Sequence, residues 1–195
     1  MILERENTIK SLQNNKIENF FGTNIQELAF INKINLRINT KNTDYMKICG
    51  KFLNAILPTK PNTFTKNGNL KIIWLSPDEW LIFKNNVTNR GVEETNIEEN
   101  LYKNISQKKL GSITNVSDQF VMINIQGKNL YELLSSGCPF NFNDFKNKKG
   151  AVTQTLLNHT DVIIYNEDIN KINLFVRRSF SAHLWSWLND SARFI

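Results

Sequence analysis

Three short runs of this chain, KIIWL (71–75), EWLIF (79–83) and DVIIY (161–165), are apolar at nearly every position rather than at alternate ones. Each has the length of a β-strand and is bounded by turn-forming residues, so each reads as a strand that needs cover on both faces. A sheet with one face in water does not satisfy them. In a chain of 195 residues the second face is closed either by another part of the same chain or by another protein. The four tryptophans and thirteen phenylalanines suit either role, because aromatic side chains fill cores and are also enriched in the buried centres of interfaces.

Around these runs the pattern alternates between strand and helix. INLRIN sets Ile34, Leu36 and Ile38 against Asn35, Arg37 and Asn39, the period of a half-buried strand. Tyr45, Ile48, Cys49, Phe52, Leu53 and Ile56 then fall at helical spacing behind Thr43-Asp44, and Pro58 stops the run. LPTKPNTFTKNGN reads as an irregular surface connection. After the KIIWL and EWLIF strands, Glu93 and Glu94 open a helix that places Ile97, Leu101 and Ile105 on one face. The second half repeats the theme: VSDQFVMINIQG is a strand, Lys128 to Ser136 a short helix, AVTQTLL, DVIIYN and NLFVRR three strands. A last helix capped by Ser179 carries Phe180, Leu184, Trp187 and Leu188.

The expected fold is α+β, two ferredoxin-like halves with helices on antiparallel sheets. The boundaries expected are an N-terminal arm over 1–32, a first lobe over 33–110 and a second over 111–195, the two lobes forming separate units or one compact unit. The arm is polar, with one helical stretch around Ile9 to Phe21.

Several function classes lose support. The chain has no apolar stretch of membrane-spanning length, and MILERENTIKSLQNNK lacks the apolar block of a signal peptide, so a cytosolic location is expected. Cys49 and Cys138 stand alone, without a CxxC pair, and read as small buried residues. The net charge of +6 raises nucleic acid as a partner, yet the lysines are diffuse and no RNP-like strand accompanies them. His159 and His183 lie at no recognisable metal spacing, and GxGxxG and GxSxG are both absent.

Asp78 and Glu79 are adjacent carboxylates, but consecutive strand residues point to opposite faces. Ser76-Pro77-Asp78-Glu79 reads instead as a type I turn at a hairpin corner, with Trp74 and Trp80 as packing or interface residues on either side. Arg177-Arg178-Ser179 lies where an apolar strand gives way to a helix. The two guanidinium groups either meet an anion or a partner there, or one pairs with an internal acid such as Asp118 while the other is solvated.

The strings LPTKPN (Leu57 to Asn62), WLSPDEWLI (Trp74 to Ile82), VSDQ (Val116 to Gln119), GCPFNF (Gly137 to Phe142), TQTLL (Thr153 to Leu157) and FVRRSFSAHLWSWL (Phe175 to Leu188) occur in a specific order. In this respect the chain resembles the gamma-subunit family of heterotetrameric sarcosine oxidases over roughly residues 33 to 193. One departure is Ser76, where the family carries glycine, which puts a positive φ at that corner in question.

The resemblance implies a non-catalytic subunit that assembles and stabilises a complex with alpha, beta and delta subunits. That complex oxidatively demethylates sarcosine to glycine, forms hydrogen peroxide and passes a one-carbon unit to tetrahydrofolate. FAD, FMN, NAD, tetrahydrofolate and zinc are expected in the other subunits, and no catalytic, cofactor or metal residue is expected here. It also implies a fold similar to the folate-binding fold of the glycine-cleavage T-protein. The alternative reading is a free-standing folate-binding or one-carbon transfer protein in which Arg177 or Arg178 holds a glutamate tail.

Overall fold

In the computed structural model, which describes residues 7–9, 12, 18–20, 22–84 and 98–195, the strands form two antiparallel sheets. The strands are β1 (Glu18–Phe20), β2 (Thr23–Glu27), β3 (Lys33–Ile38), β4 (Phe64–Asn67), β5 (Leu70–Ser76) and β6 (Glu79–Lys84). They continue as β7 (Gly111–Asn115), β8 (Phe120–Gly127), β9 (Val152–Leu157), β10 (Thr160–Asp168) and β11 (Lys171–Arg177). The helices are α1 (Thr43–Leu53), α2 (Leu130–Ser135) and α3 (Arg178–Ser191), with a π-helical turn at Tyr102–Ser106. The chain divides into two units, Ile31–Ser117 and the combination of Met1–Phe30 with Asp118–Ile195.

The unit Ile31–Ser117 holds the five-stranded sheet, in the order β4-β5-β6-β3-β7. Without β4 its succession is the β-α-β-β-α-β of a ferredoxin-like unit. Helix α1 begins at Asn42, whose Oδ1 accepts the Asp44 N–H, and ends at Asn54, whose φ of 47° stops propagation and turns its own N–H back to the Gly50 carbonyl. It buries Cys49 and Leu53 among Leu36, Ile72, Trp80 and Ile82. The helix ends before Ile56, which the periodicity had included; Ile56 is 82% exposed. LPTKPNTFTKNGN, read as irregular, contains β4, which pairs with β5 from Phe64↔Ile73 to Asn67↔Leu70. The helix expected from Glu93 is seen from residue 98, with Leu101 and Ile105 buried, and Glu93, Glu94 and Ile97 lie outside the described residues.

The other unit holds the six-stranded sheet, in the order β1-β2-β8-β11-β10-β9. Here β9, β10 and β11 form a meander, so β11 lies between β10 and β8 and the strand order differs from that of the first sheet. Ile123, Ile125, Ile164, Leu174 and Val176 on one sheet face pack with Leu133 and Leu134 of α2 and Leu184 and Leu188 of α3. Asn158 and His159, with φ of 46° and 61°, close the β9–β10 hairpin as a two-residue turn of the I′ kind.

The expected segmentation changes in two places. Residues 1–32 are not simply an arm, since β1 and β2 extend the sheet of the second unit through Thr23↔Gly127 to Glu27↔Ile123. Glu18–Phe20, at the end of the stretch read as helical, is strand. In β2 the inward side chains are Thr23, Ile25 and Glu27, two of them polar, so hydrophobic alternation is absent. Glu27 is held there because its carboxylate oxygens accept the N–H groups of Thr8 and Ile9. Residues 111–115, placed by the sequence reading in the second lobe, pair as β7 with β3 and belong to the first.

The apolar strands carry buried side chains on both faces. Ile73, Leu81 and Phe83 point away from the core of the first unit, and Ile163 and Phe175 away from that of the second, yet all five are buried.

Candidate functional site

Trp74 and Trp80 face each other across β5 and β6. Trp80 is 0% exposed, and its indole N–H donates to the Pro58 carbonyl at 2.8 Å. Trp74 is half-buried against the same core, with its Nε1 buried and without a partner among the described residues. The corner between them contains no positive φ at Ser76, Pro77 or Asp78, which agrees with type I geometry. A register shift between Trp74 and Ser76 inserts one residue into β5 there, and bulges of this kind add the twist that a type I turn lacks.

The two acids of the corner are separately engaged. Asp78 accepts the Ser76 hydroxyl at 2.6 Å. Glu79 accepts Asn35 Nδ2 at 2.6 Å and Arg37 at 2.7 Å, both from β3, where Arg37 is its register partner. They do not converge on a common point, so acid/base chemistry by this pair is not built into the fold.

The candidate site lies on α3. Arg177 ends β11, and Arg178 begins α3 and donates through its guanidinium to Asp118 at 3.0 Å and through its backbone N–H to Gln119 at 2.8 Å. Arg177 is exposed, and its guanidinium makes no hydrogen bond or ion pair with the described residues. Ser179, expected as the cap, is inside the helix; the cap position is Arg177, without a side-chain bond. The extra helical residue arises because Arg178 already has a partner for its N–H in Gln119, so no capping hydroxyl is needed there.

The other end of α3 borders a groove of about 580 Å³ that includes Asn158, His183, Trp185, Trp187, Asn189 and Asp190. Residues 183, 187 and 190 recur at the spacing of one helix face. The His183 ring contacts Asn158 Nδ2 at 3.1 Å, and the Asn158 N–H is held by the Gly137 carbonyl at 2.9 Å, so the left-handed turn is anchored from both sides. A Cβ on Gly137 would meet the Trp187 ring at 2.5 Å, which fits this close approach of backbone and indole. The sequence reading counted Trp187 as helical packing and His183 as a failed metal ligand. Their shared groove depends on a turn that sequence periodicity does not locate.

Among the described residues, no group of three His, Cys, Asp or Glu side chains is placed to hold a metal ion. Burial pushes the Cys49 thiol up to about 12, and Cys138 Sγ lies 3.5 Å from Thr155 Oγ1. An un-ionised buried thiol is a poor nucleophile. No described helix is long and apolar enough to cross a membrane.

The fold is similar to that of a chain in the heterotetrameric sarcosine oxidase from Corynebacterium sp. U-96 in complex with pyrrole 2-carboxylate. The TM-score is 0.81 at 18% identity, covering 96% of this chain and 94% of that one. It is also similar to the glycine cleavage system aminomethyltransferase T from Bartonella henselae, with a TM-score of 0.61 at 12% identity, covering 88% of this chain and 46% of that one. These likenesses bear out the α+β reading and its relation to the T-protein fold. No curated protein matches by sequence. The Sarcosine oxidase, gamma subunit family matches across residues 43–193, more than half of the chain. The chain belongs to the sarcosine oxidase gamma subunit family.

Proposed function

We propose that this chain serves as the non-catalytic gamma subunit of a cytoplasmic heterotetrameric sarcosine oxidase, holding alpha, beta and delta subunits in a stable complex. The observation that carries the reading is the family match over residues 43–193. The separate engagement of Asp78 and Glu79 and the pairing of Arg178 with Asp118 support a structural role for the polar groups that the sequence brings to notice.

In this reading the complex converts sarcosine to glycine with reduction of oxygen to hydrogen peroxide, and transfers the one-carbon unit to tetrahydrofolate. FAD, FMN, NAD, tetrahydrofolate and zinc belong to the other subunits. Co-expression with candidate alpha, beta and delta chains, followed by size-exclusion chromatography, tests it. The chain should co-elute with flavin absorbance, and a chain that elutes apart from flavin-loaded partners rules the reading out.

A second reading, a free-standing folate binder, is favoured by one observation, the guanidinium of Arg177, which has no partner among the described residues, beside the start of α3. Titration of the isolated chain with tetrahydrofolate decides it, since absence of binding removes it.

A further inference from the structure

The positive charge of this chain belongs to one of its two units. Residues 31–117 hold thirteen Lys and Arg against seven Asp and Glu, whereas the rest of the chain balances at eleven of each. Most of that excess lies between Asn39 and Leu70, where five lysines face a single acid, Asp44. Asp44 is paired with Lys47 at 3.2 Å. Lys41, Lys51, Lys60 and Lys66 are exposed and make no ion pair among the described residues.

The same segment exposes large apolar side chains. Ile56 is 82% exposed and Phe52 45%, although α1 offers a buried face at Cys49 and Leu53. Ile56 is not the tip of a loose loop. Asn54, in the left-handed region, ends the helix, and the Ala55 N–H returns to the Gly50 carbonyl at 3.0 Å. The Asn54 carbonyl then accepts Asn67 Nδ2 at 2.8 Å and the Ile56 carbonyl accepts Thr65 Oγ1 at 2.6 Å. Both donors come from β4, an edge strand of the sheet. A backbone clamped in this way presents Ile56 in one place, with little left to order on binding. Lys51 precedes Phe52 on α1 and Lys66 lies between Thr65 and Asn67 on β4, so each element that forms the corner also carries a cation without an ion pair among the described residues.

An apolar centre with a polar, charged rim is the anatomy of a protein interface. The sign of the rim selects the occupant. A second copy of this chain would set lysines against lysines across a two-fold axis, whereas carboxylates meet them favourably. Resting on the subunit reading above, we infer that the corner where α1 meets β4 docks an acidic face of another subunit, with Ile56 and Phe52 at its centre and Lys51 and Lys66 at its rim.

The full chain is mixed with the alpha, beta and delta chains, and assembly is read by size-exclusion chromatography over a dilution series at about 50 and about 300 mM salt. Ile56→Ser should weaken assembly about tenfold at both salt concentrations, the scale of one aliphatic side chain going from exposed to buried. Lys51→Glu combined with Lys66→Glu should weaken it about tenfold at the lower salt and by less at the higher, because exposed charges are screened. Lys146→Glu combined with Lys148→Glu, exposed on the other unit, makes the same change in net charge and should assemble as the wild type does. Every one of these variants should keep the wild-type melting temperature, since each substituted side chain is exposed.

Wild-type assembly by Ile56→Ser, or by the variant at Lys51 and Lys66, overturns the proposal and leaves the subunit reading standing. Equal weakening by the variant at Lys146 and Lys148 also overturns it, because bulk charge rather than this corner is then responsible. Binding to phosphatidylserine vesicles that the corner variants abolish, with their assembly intact, overturns it in favour of a lipid surface. A wild-type chain that does not assemble at either salt concentration removes the subunit reading and this proposal together.

Discussion

The Lys33 ammonium donates to the Ser117 carbonyl at 3.2 Å, joining residues 84 positions apart. The same ammonium donates to the Ile31 carbonyl at 3.0 Å, and the Lys33 backbone N–H donates to Ser117 Oγ at 2.8 Å. Ile31 and Ser117 are the two ends of one unit, so a single residue fastens both. Lys33→Met keeps most of the stem and removes the donor, leaving buried carbonyls behind. We expect a loss of about 1–3 kcal/mol in urea unfolding, and an unchanged midpoint would contradict the role assigned to the amine.

The paired tryptophans make opposite predictions for the same substitution. Trp80→Phe breaks the bond to Pro58 and opens space in a fully buried site, whereas Trp74→Phe deletes an indole N–H that has no partner among the described residues. Trp80→Phe should cost about 2 kcal/mol or more, and Trp74→Phe clearly less. Thermal melts of the two variants side by side check the order.

Two glycines with positive φ also separate. At Gly127, φ is 143° and a Cβ would meet the Gly22 carbonyl oxygen at 1.9 Å, at the register position where β8 pairs with β2. At Gly68, φ is 54° and nothing lies within 4 Å. Gly68→Ala should cost about 1 kcal/mol, the penalty of the left-handed region alone. Gly127→Ala should cost more and should loosen β1 and β2, read as faster amide exchange at Ile25 than at Ile163.

The thiols predict a pH dependence. Burial raises Cys49 from its ordinary 9.0 to about 12, so the folded chain retains its proton where the unfolded chain has lost it. The stabilising contribution is complete below about pH 9 and is lost as pH rises toward 12. At pH 8 iodoacetamide should modify the half-buried Cys138 first and reach Cys49 only on unfolding. Equal rates in native buffer would show that Cys49 is not enclosed.

The apolar strands were legible because their requirement is local: KIIWL, EWLIF and DVIIY each demand cover, and each is a strand buried on both faces. Asp118 as the partner of Arg178 could be named from chemistry alone. The strands that escaped notice have polar or small inward residues, as in Thr23 and Glu27 of β2 and Gly111 of β7. Their pairing is decided by a distant strand and by backbone bonds rather than by their own hydrophobicity. The groove on α3 was hidden for a related reason. His183 and Asn158 are 25 positions apart, and only the closed hairpin brings them together.

The split membership of the six-stranded sheet has a consequence for synthesis. Strand β2 pairs with β8 through Gly127, whereas every strand of the five-stranded sheet lies between Lys33 and Asn115. As the polypeptide leaves the ribosome, β1 and β2 emerge ahead of the five-stranded sheet, but β2 remains without β8 until a whole ferredoxin-like unit has followed. The five-stranded sheet can therefore close before the six-stranded one, and the edge of β2 that awaits β8 is what a chaperone would meet open.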